Sequence, residues 1–284
     1  MVPILRAARV VLFFALVSGS LLNAADVSNV SSTTASFELG LDFLVIVNGR
    51  IGELDGLKFI LDTGSSYTVI DENVAQRLRL PRRPGKVTNF DRAIPVEWTE
   101  IGALRAGPIQ ARRANVLVAK LRDYSEFAQG VDGIIGLDLL SRGEKLSIDY
   151  ERQVVSFEAA SGQDGGPAPF RSLVVPITIQ GARMTLLVDT GLHDVLLYKD
   201  RLRKGLPNVR TEGESHVAVI GRLHATKVNL PGVKIAGPET VETVFLIDGP
   251  EHGNPSGIDG YLGPLSLHAR RLELDFAGHR LRWQ

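Results

Sequence analysis

The chain contains the same unit twice, and this repeat constrains its fold more than any other feature. An Asp-Thr-Gly turn after an apolar run occurs at residues 62–64 and again at 189–191, an offset of 127. Two further blocks recur in the same order, 127 and 126 residues later: GVDGIIGLDLL (130–140) as GIDGYLGPLSL (257–267), and LSIDYERQVVSF (146–157) as LELDFAGHRLRW (272–283). Recurrence at one spacing is typical of a duplicated structural unit. We therefore predict two similar lobes in one chain.

The boundary between the two units is visible in the composition. Residues 159–172 read AASGQDGGPAPFRS, a stretch rich in Gly, Pro and Ala without apolar periodicity. Such a stretch is typical of a linker. We expect a first lobe over 38–158 and a second lobe over 173–284, each long enough to bury a core.

The first residues have the layout of an export signal. Residues 1–24 carry Arg6 and Arg9, continue with the apolar run VVLFFALVSG and end on Ala24. This order predicts a secretory signal peptide cleaved after Ala24. The apolar run is shorter than the about 20 residues that a membrane span needs. An uncleaved N-terminal anchor is therefore the alternative interpretation and not the preferred one. Residues 25–37 are mostly polar and predict a flexible leader.

The cysteine count bears on where such a protein works. The chain has no cysteine. An exported protein without disulfides depends on its core for stability, which suits a bacterial periplasm better than a eukaryotic secretory route. We expect a periplasmic or secreted protein that does not associate with a membrane once its signal is removed.

Each unit is predicted to consist mostly of strands. Apolar runs on both sides of a turn predict hairpins at 43–64, 173–191, 146–157 and 272–283. Helix signals are short, as in DENVAQRLRL, where Asp71 is the expected N-cap. Long helices do not alternate with strands, so the expected fold class is all-β, in two similar lobes.

Charge and motifs exclude several classes of function. Lys plus Arg and Asp plus Glu number 32 each, so no nucleic-acid partner is expected. The sequence has no Gly-x-Ser-x-Gly elbow, no His-Glu-x-x-His zinc helix and no cysteine nucleophile. We expect neither a cofactor nor a metal.

The two Asp-Thr-Gly turns carry the predicted chemistry. One such motif alone is commonly a β-turn, with Asp bonding its own backbone and Gly supplying a positive φ. Here each turn follows a buried strand and is present once in each copy, so a pseudo-twofold axis would bring Asp62 and Asp189 face to face. Two carboxylates about 4 Å apart repel by roughly 4 kcal/mol at an effective dielectric near 20. The pair therefore holds one proton over a wide pH range, one member acting as acid and the other as base.

The neighbouring residues support this pairing. Gly64 and Gly191 let backbone N–H groups approach the carboxylates, and Thr63 and Thr190 can bond across the axis. An acid and a base side by side can activate a water molecule for attack on an amide without a metal or a covalent intermediate.

These residues resemble the aspartic proteases of the pepsin and retropepsin group. LDTGSS is followed about seventy residues later by GIIG, and VDTG likewise by GYLG. The resemblance implies two retropepsin-like β-barrel lobes and ψ-shaped loops threaded by residues 134–136 and 261–263. It implies aspartic endopeptidase activity on peptide or protein substrates. Asp62 and Asp189 would be catalytic, supported by the following residues: Thr63, Gly64, Ser65, Thr190 and Gly191. The fused lobes favour a monomer.

Some positions depart from that group or leave alternatives open. Ser65 can bond Asp62, whereas Leu192 cannot do the same for Asp189. His193 is either a rim or packing histidine or a group that shifts the pH profile. A flap is expected at 85–104 or 212–226, and Trp98 is either a core residue or a substrate contact. The alternative function is a non-catalytic peptide-binding module on the protease scaffold.

Overall fold

The structure is a computed structural model, which describes part of the chain. The described residues are 11–12, 33–89, 92–121, 130–159, 171–202, 210–219, 221–235, 240–248 and 257–284. Most of the predicted signal peptide, all but Val11–Leu12, and most of the predicted linker at 159–172 lie outside them.

The first lobe is built on one sheet of ten strands. Its strands are β3 (Glu38–Gly40), β4 (Leu44–Ile51), β5 (Leu54–Leu61), β6 (Val69–Asp71), β7 (Arg83–Asn89), β8 (Arg92–Ile101), β9 (Leu104–Ala106), β10 (Ile109–Ala111), β11 (Ala114–Ala119) and β12 (Gly133–Ile135). Two short helices accompany the sheet: α1 (Glu72–Arg77), capped by the Asp71 side chain as predicted, and α2 (Leu137–Leu140).

The second lobe repeats this architecture in a sheet of eight strands. These are β1 (Val11–Leu12), β15 (Val174–Ile179), β16 (Ala182–Val188), β17 (Val195–Tyr198), β18 (Arg210–Val219), β19 (Gly221–Lys234), β20 (Thr240–Ile247) and β21 (Gly260–Leu262). Short 3-10 turns cover Lys199–Arg201 and Pro264–Leu267. The β15–β16 hairpin turns at Gln180 and Gly181, both with positive φ, as a two-residue hairpin turn requires.

A third sheet joins the lobes. Its order is β2 (Thr33–Ser36), β14 (Val154–Ala159), β13 (Gly143–Asp149), β22 (Arg271–Asp275) and β23 (Arg280–Trp283). In the antiparallel pair β13–β22, Ser147 lies opposite Glu273, its own copy 126 residues later (273 − 147). Because a strand pairs antiparallel with its own repeat at matching positions, a pseudo-twofold axis passes through this pair.

The main core extends through both lobes. It includes first-lobe residues such as Phe59 and Ile135 and second-lobe residues such as Val188 and Leu262. The described chain is mostly strand with a few short helical turns. This content confirms the all-β fold class that the strand patterns predict. Among the residues placed by the structure, no helix is long and apolar enough to cross a membrane.

Part of the expected flexible leader forms a strand and a buried contact. Thr33–Ser36 pairs with β14, and Phe37 is buried, although both fall within 25–37, the expected flexible leader. The polar composition of TTAS hides this strand, because one edge of an existing sheet supplies its hydrogen bonds.

Candidate active site

Both Asp-Thr-Gly turns stand at the end of a central strand in their lobe. Strand β12 runs between β5 and β6, and β21 runs in the same way between β16 and β17. The backbone N–H of Asp62 donates to the Ile135 carbonyl at 3.0 Å, and that of Asp189 donates to Leu262 at 3.0 Å. This threading gives the ψ-shaped loops implied by the sequence resemblance, and it fixes where each aspartate begins its turn.

Two glycines allow the threaded strands to approach so closely. A Cβ atom at Gly136 would overlap the backbone of Tyr67, and one at Gly263 would overlap the backbone of Leu192 and His193. Any side chain at these positions would push the strand away from the turn that it supports. The sequence pattern apolar-apolar-Gly therefore has a steric cause in both lobes.

The two turns are joined by four buried hydrogen bonds. The Thr63 hydroxyl donates to the Val188 carbonyl at 2.8 Å and accepts from the Thr190 N–H at 3.1 Å. Reciprocally, the Thr190 hydroxyl donates to the Leu61 carbonyl at 2.8 Å and accepts from the Thr63 N–H at 3.0 Å. The threonines thus bond across the axis, as the sequence suggests, and each one anchors its turn to the other lobe.

The carboxyl groups of Asp62 and Asp189 meet at this junction, and both residues are fully buried. Gly64 N–H donates to Asp62 Oδ1 and Gly191 N–H donates to Asp189 Oδ1, each at 2.8 Å. A Cβ atom at Gly64 would overlap the Asp189 carboxylate. Apart from the opposite carboxyl group, no hydrogen-bond partner in the described part of the chain reaches Oδ2 of either aspartate. These two oxygens are therefore the polar atoms left for a shared proton or a substrate.

Burial changes the protonation of the pair. Burial raises the pKa of Asp62 to about 6, although hydrogen bonds from Asp189 and from the Gly64 and Ser65 backbone oppose the increase. The pKa of Asp189 is raised well above its usual range, first by burial and then by the negative charge of Asp62. Since two interacting carboxyls titrate as one unit, these shifts describe a pair that keeps one proton across neutral pH.

Ser65 contributes differently from the expectation. Its buried hydroxyl donates to the Tyr67 carbonyl at 2.7 Å and not to Asp62. A serine hydroxyl has one proton to donate, so that bond leaves none for the carboxylate. Ser65 reaches Asp62 through its backbone N–H instead.

The departures in the second turn occupy two different environments. Leu192 is fully buried in an apolar cluster with Leu196 and Tyr261. His193 is partly exposed and packs edge-on against Phe43 of the first lobe, with ring centroids 5.3 Å apart. The packing interpretation of His193 thus agrees with the structure, and its effect on a pH profile stays a prediction.

Both candidate flaps are β-hairpins. The first is β7–β8 and the second is β18–β19. Trp98 on β8 is half-buried between Gly85 of its own hairpin and the ring of Tyr67, whose centroid lies 5.0 Å away. Trp98 therefore connects the first hairpin to the segment that follows Asp62.

Sequence reasoning missed several partly buried polar contacts near the aspartate turns. The Thr68 hydroxyl donates to Asp138 at 2.7 Å, and burial raises the pKa of Asp138 to about 6. Asp132 and Asp259 each accept a backbone N–H from the strand before an aspartate turn. The repeated VDG and IDG triplets are the signal that could have identified this pair.

A second missed contact distinguishes the lobes. The hydroxyls of Tyr198 and Tyr261 lie 2.7 Å apart inside the second lobe, where the first lobe has Asp71 and Ile134. Within the described residues, no group of three or more His, Asp or Glu side chains could hold a metal ion.

The chain is similar to a known protein family and to a solved structure. The family model described as "Aspartyl protease" matches residues 47–139, which include the first turn and the first ψ-loop. A solved structure of a retropepsin-like aspartic protease from Rickettsia conorii is similar at 17% identity and a TM-score of 0.32, covering 49% of this chain and 97% of that one. None of the curated proteins matches the chain. Over the residues that it matches, the family model confirms the predicted resemblance to aspartic proteases and supports a peptidase.

Proposed function

We propose that the protein is an aspartic endopeptidase whose catalytic pair consists of Asp62 from the first lobe and Asp189 from the second. The observation that carries the proposal is the reciprocal threonine bonding that holds the two aspartate turns together. A rigid frame of this kind fixes the distance between two groups that repel each other when both are ionised.

The burial of the pair supports a division into acid and base. With one proton on the pair, the ionised aspartate accepts a proton from a water molecule as the water oxygen attacks the peptide carbonyl carbon. The protonated aspartate gives its proton to the carbonyl oxygen, and a tetrahedral gem-diol forms. The pair then gives a proton to the amide nitrogen and takes one back from a hydroxyl of the gem-diol as the C–N bond breaks, so the pair ends with one proton as it began.

The surrounding residues have supporting roles in this proposal. Thr63 and Thr190 hold the turns, and the N–H groups of Gly64 and Gly191 stabilise negative charge on Oδ1 of each aspartate. Ser65 supports the Asp62 turn through its own contact with Tyr67. We propose peptide or protein substrates, one active site per chain, and export from the cell under the predicted signal.

A casein cleavage assay of the exported form between pH 3 and 8 tests the proposal. Asp62→Asn and Asp189→Asn should each abolish hydrolysis, because general acid–base groups contribute about 10² to 10⁴ in rate and each variant disables the whole pair. The matched control is Asp55→Asn, which makes the same change at an exposed position near the start of β5. It should keep full activity.

Further arms separate this chemistry from its alternatives. A peptide analogue with a hydroxyl in place of the attacked carbonyl should inhibit, whereas a chelator should not. Full activity in either aspartate variant would refute the mechanism. Peptide binding without cleavage by the wild type at any pH would support the non-catalytic binding module instead.

A further inference from the structure

His193 lies where the second aspartate turn meets the first lobe. It is the fourth residue after Asp189, and its imidazole packs edge-on against Phe43, with an angle of 87° between the rings. Phe43 is 2% exposed and belongs to a buried cluster of the first lobe. The contact therefore connects one lobe's catalytic turn to the other lobe's interior.

The imidazole is also held from its own side. Its Nδ1 lies 3.0 Å from Asp194 Oδ1, which is within ion-pair distance, but the two groups are not aligned for a hydrogen bond. The His193 backbone lies against Gly263 of the ψ-loop, and Gly263 N–H donates to the Asp194 carbonyl at 3.0 Å. The segment is thus pinned by the ψ-loop behind it and by Phe43 in front.

The first lobe presents Phe43 from a tight turn. Leu41 and Asp42, which join β3 to β4, both have positive φ, at 53° and 69°. Leucine rarely adopts this conformation, and such residues persist only where surrounding contacts hold them. The turn therefore offers a fixed ring surface to His193.

The contact has no counterpart by sequence in the first turn. The residues equivalent to His193 and Asp194 at the repeat offset of 127 are Ser66 and Tyr67. Ser66 has no ring and is too short to make a comparable contact. At this position the junction between the lobes is therefore asymmetric, because only the second-lobe turn carries a ring.

We propose that His193 is a positioning residue, which sets the placement of Asp189 opposite Asp62 by packing its ring against Phe43. The role in catalysis rests on the proposed endopeptidase function. A displaced turn lowers the rate of the chemical step more than it lowers substrate affinity, because small misplacement of reacting groups is costly.

A set of variants in the full chain tests the proposal. His193→Ala removes the ring and should lower kcat about tenfold with KM changed less than about twofold. His193→Phe keeps a flat ring against Phe43 and should restore kcat to within about twofold of the wild type. The control His279→Asn lies in the exposed β22–β23 turn and tolerates the positive φ of 49° found there.

A double-mutant cycle of His193→Ala with Phe43→Leu gives a readout that needs no activity. If the two residues are coupled, the double variant should lose about 2 to 4 °C less in unfolding temperature than the two single variants lose together. This is the effect expected of an edge-to-face ring pair, which stabilises by about 1 kcal/mol. Additive effects on both unfolding temperature and kcat would overturn the proposal, as would an inactive His193→Phe.

The two readouts distinguish this inference from the function on which it rests. A wild type that cleaves nothing would refute the endopeptidase, while the unfolding cycle would still decide whether His193 joins the lobes. An active wild type with additive variants would leave the endopeptidase standing and refute the role of His193.

Discussion

Thr63 and Thr190 each use their hydroxyl both to donate and to accept within the opposite lobe. Each hydroxyl donates to the carbonyl of the residue just before the other aspartate. The strand that leads to each aspartate therefore makes its last hydrogen bond with the other lobe. Neither threonine hydroxyl has a proton left for substrate. Their contribution is to rigidity, and rigidity is what two mutually repelling carboxyls need.

Replacing Thr63 with valine should destabilise the protein and impair catalysis together. The variant keeps the shape but leaves the Val188 carbonyl and the Thr190 N–H buried without a partner, which costs roughly 2 to 4 kcal/mol. Chemical denaturation checks the loss, and peptide hydrolysis should fall by at least tenfold. Thr34→Val, at an exposed position in β2, is the control, and equal effects in both variants would contradict this role.

Gly64→Ala should abolish activity, because the added methyl group occupies space filled by the Asp189 carboxylate. The variant must either move the turn or expel the carboxylate, and both disrupt the pair. Gly102→Ala is the matched control, since a Cβ there meets no atom within 4 Å. Activity measured on folded protein decides, and a fully active Gly64→Ala would show that the turn has more room than the structure gives it.

Neutralising the pair should stabilise the protein at neutral pH and leave it unchanged in acid. Burial raises the pKa of Asp62 from 3.8 to about 6, so the folded state binds more protons than the unfolded state between these values. Stability therefore falls as pH rises through this window, by roughly 3 kcal/mol. The Asp62→Asn variant does not lose this stability as pH rises, and it should unfold about 5 °C or more above the wild type at pH 7.

The same comparison at pH 3.5 supplies the control. Both proteins retain Asp138, whose pKa is also raised to about 6, so the difference between their curves isolates the pair. Parallel curves of unfolding temperature against pH would show that Asp62 is not held in its protonated form by burial.

Hydrolysis should increase as pH rises through about 6. Below that value both aspartates of the pair hold protons, and no base is available to activate water. The active form carries one proton, and the raised pKa of Asp189 keeps it well into the neutral range. A profile of kcat/KM against pH checks this, and a rate maximum near pH 3 would contradict the burial of the pair.

Activity should reside in single chains. The two halves have diverged in sequence, and the predicted linker of about fourteen residues at 159–172 would hold them at millimolar effective concentration. Mixing Asp62→Asn chains with Asp189→Asn chains should therefore give no activity at any concentration. If like lobes paired between chains instead, each single variant would keep one intact site and lose specific activity on dilution.

The duplication, the strand content and the residues at the junction could be predicted from the amino-acid sequence. The spacing of 127 residues between the aspartate turns reappears as the sequence separation of the threonines that bond each other. Apolar runs on both sides of a turn were enough to predict the four hairpins. A motif that is present in both copies predicts a pseudo-twofold arrangement, because the two copies are expected to fold alike.

Which atoms meet across the lobes depends on the three-dimensional arrangement of the two lobes. Ser65 can bond either Asp62 or a nearby carbonyl by its chemistry, and the fold directs it to Tyr67. The strand Thr33–Ser36 has no apolar pattern of its own, and it forms because β14 offers an edge. Likewise, nothing near His193 in sequence points to Phe43, 150 residues earlier (193 − 43). Contacts of this kind depend on how two lobes approach each other, which local sequence patterns do not encode.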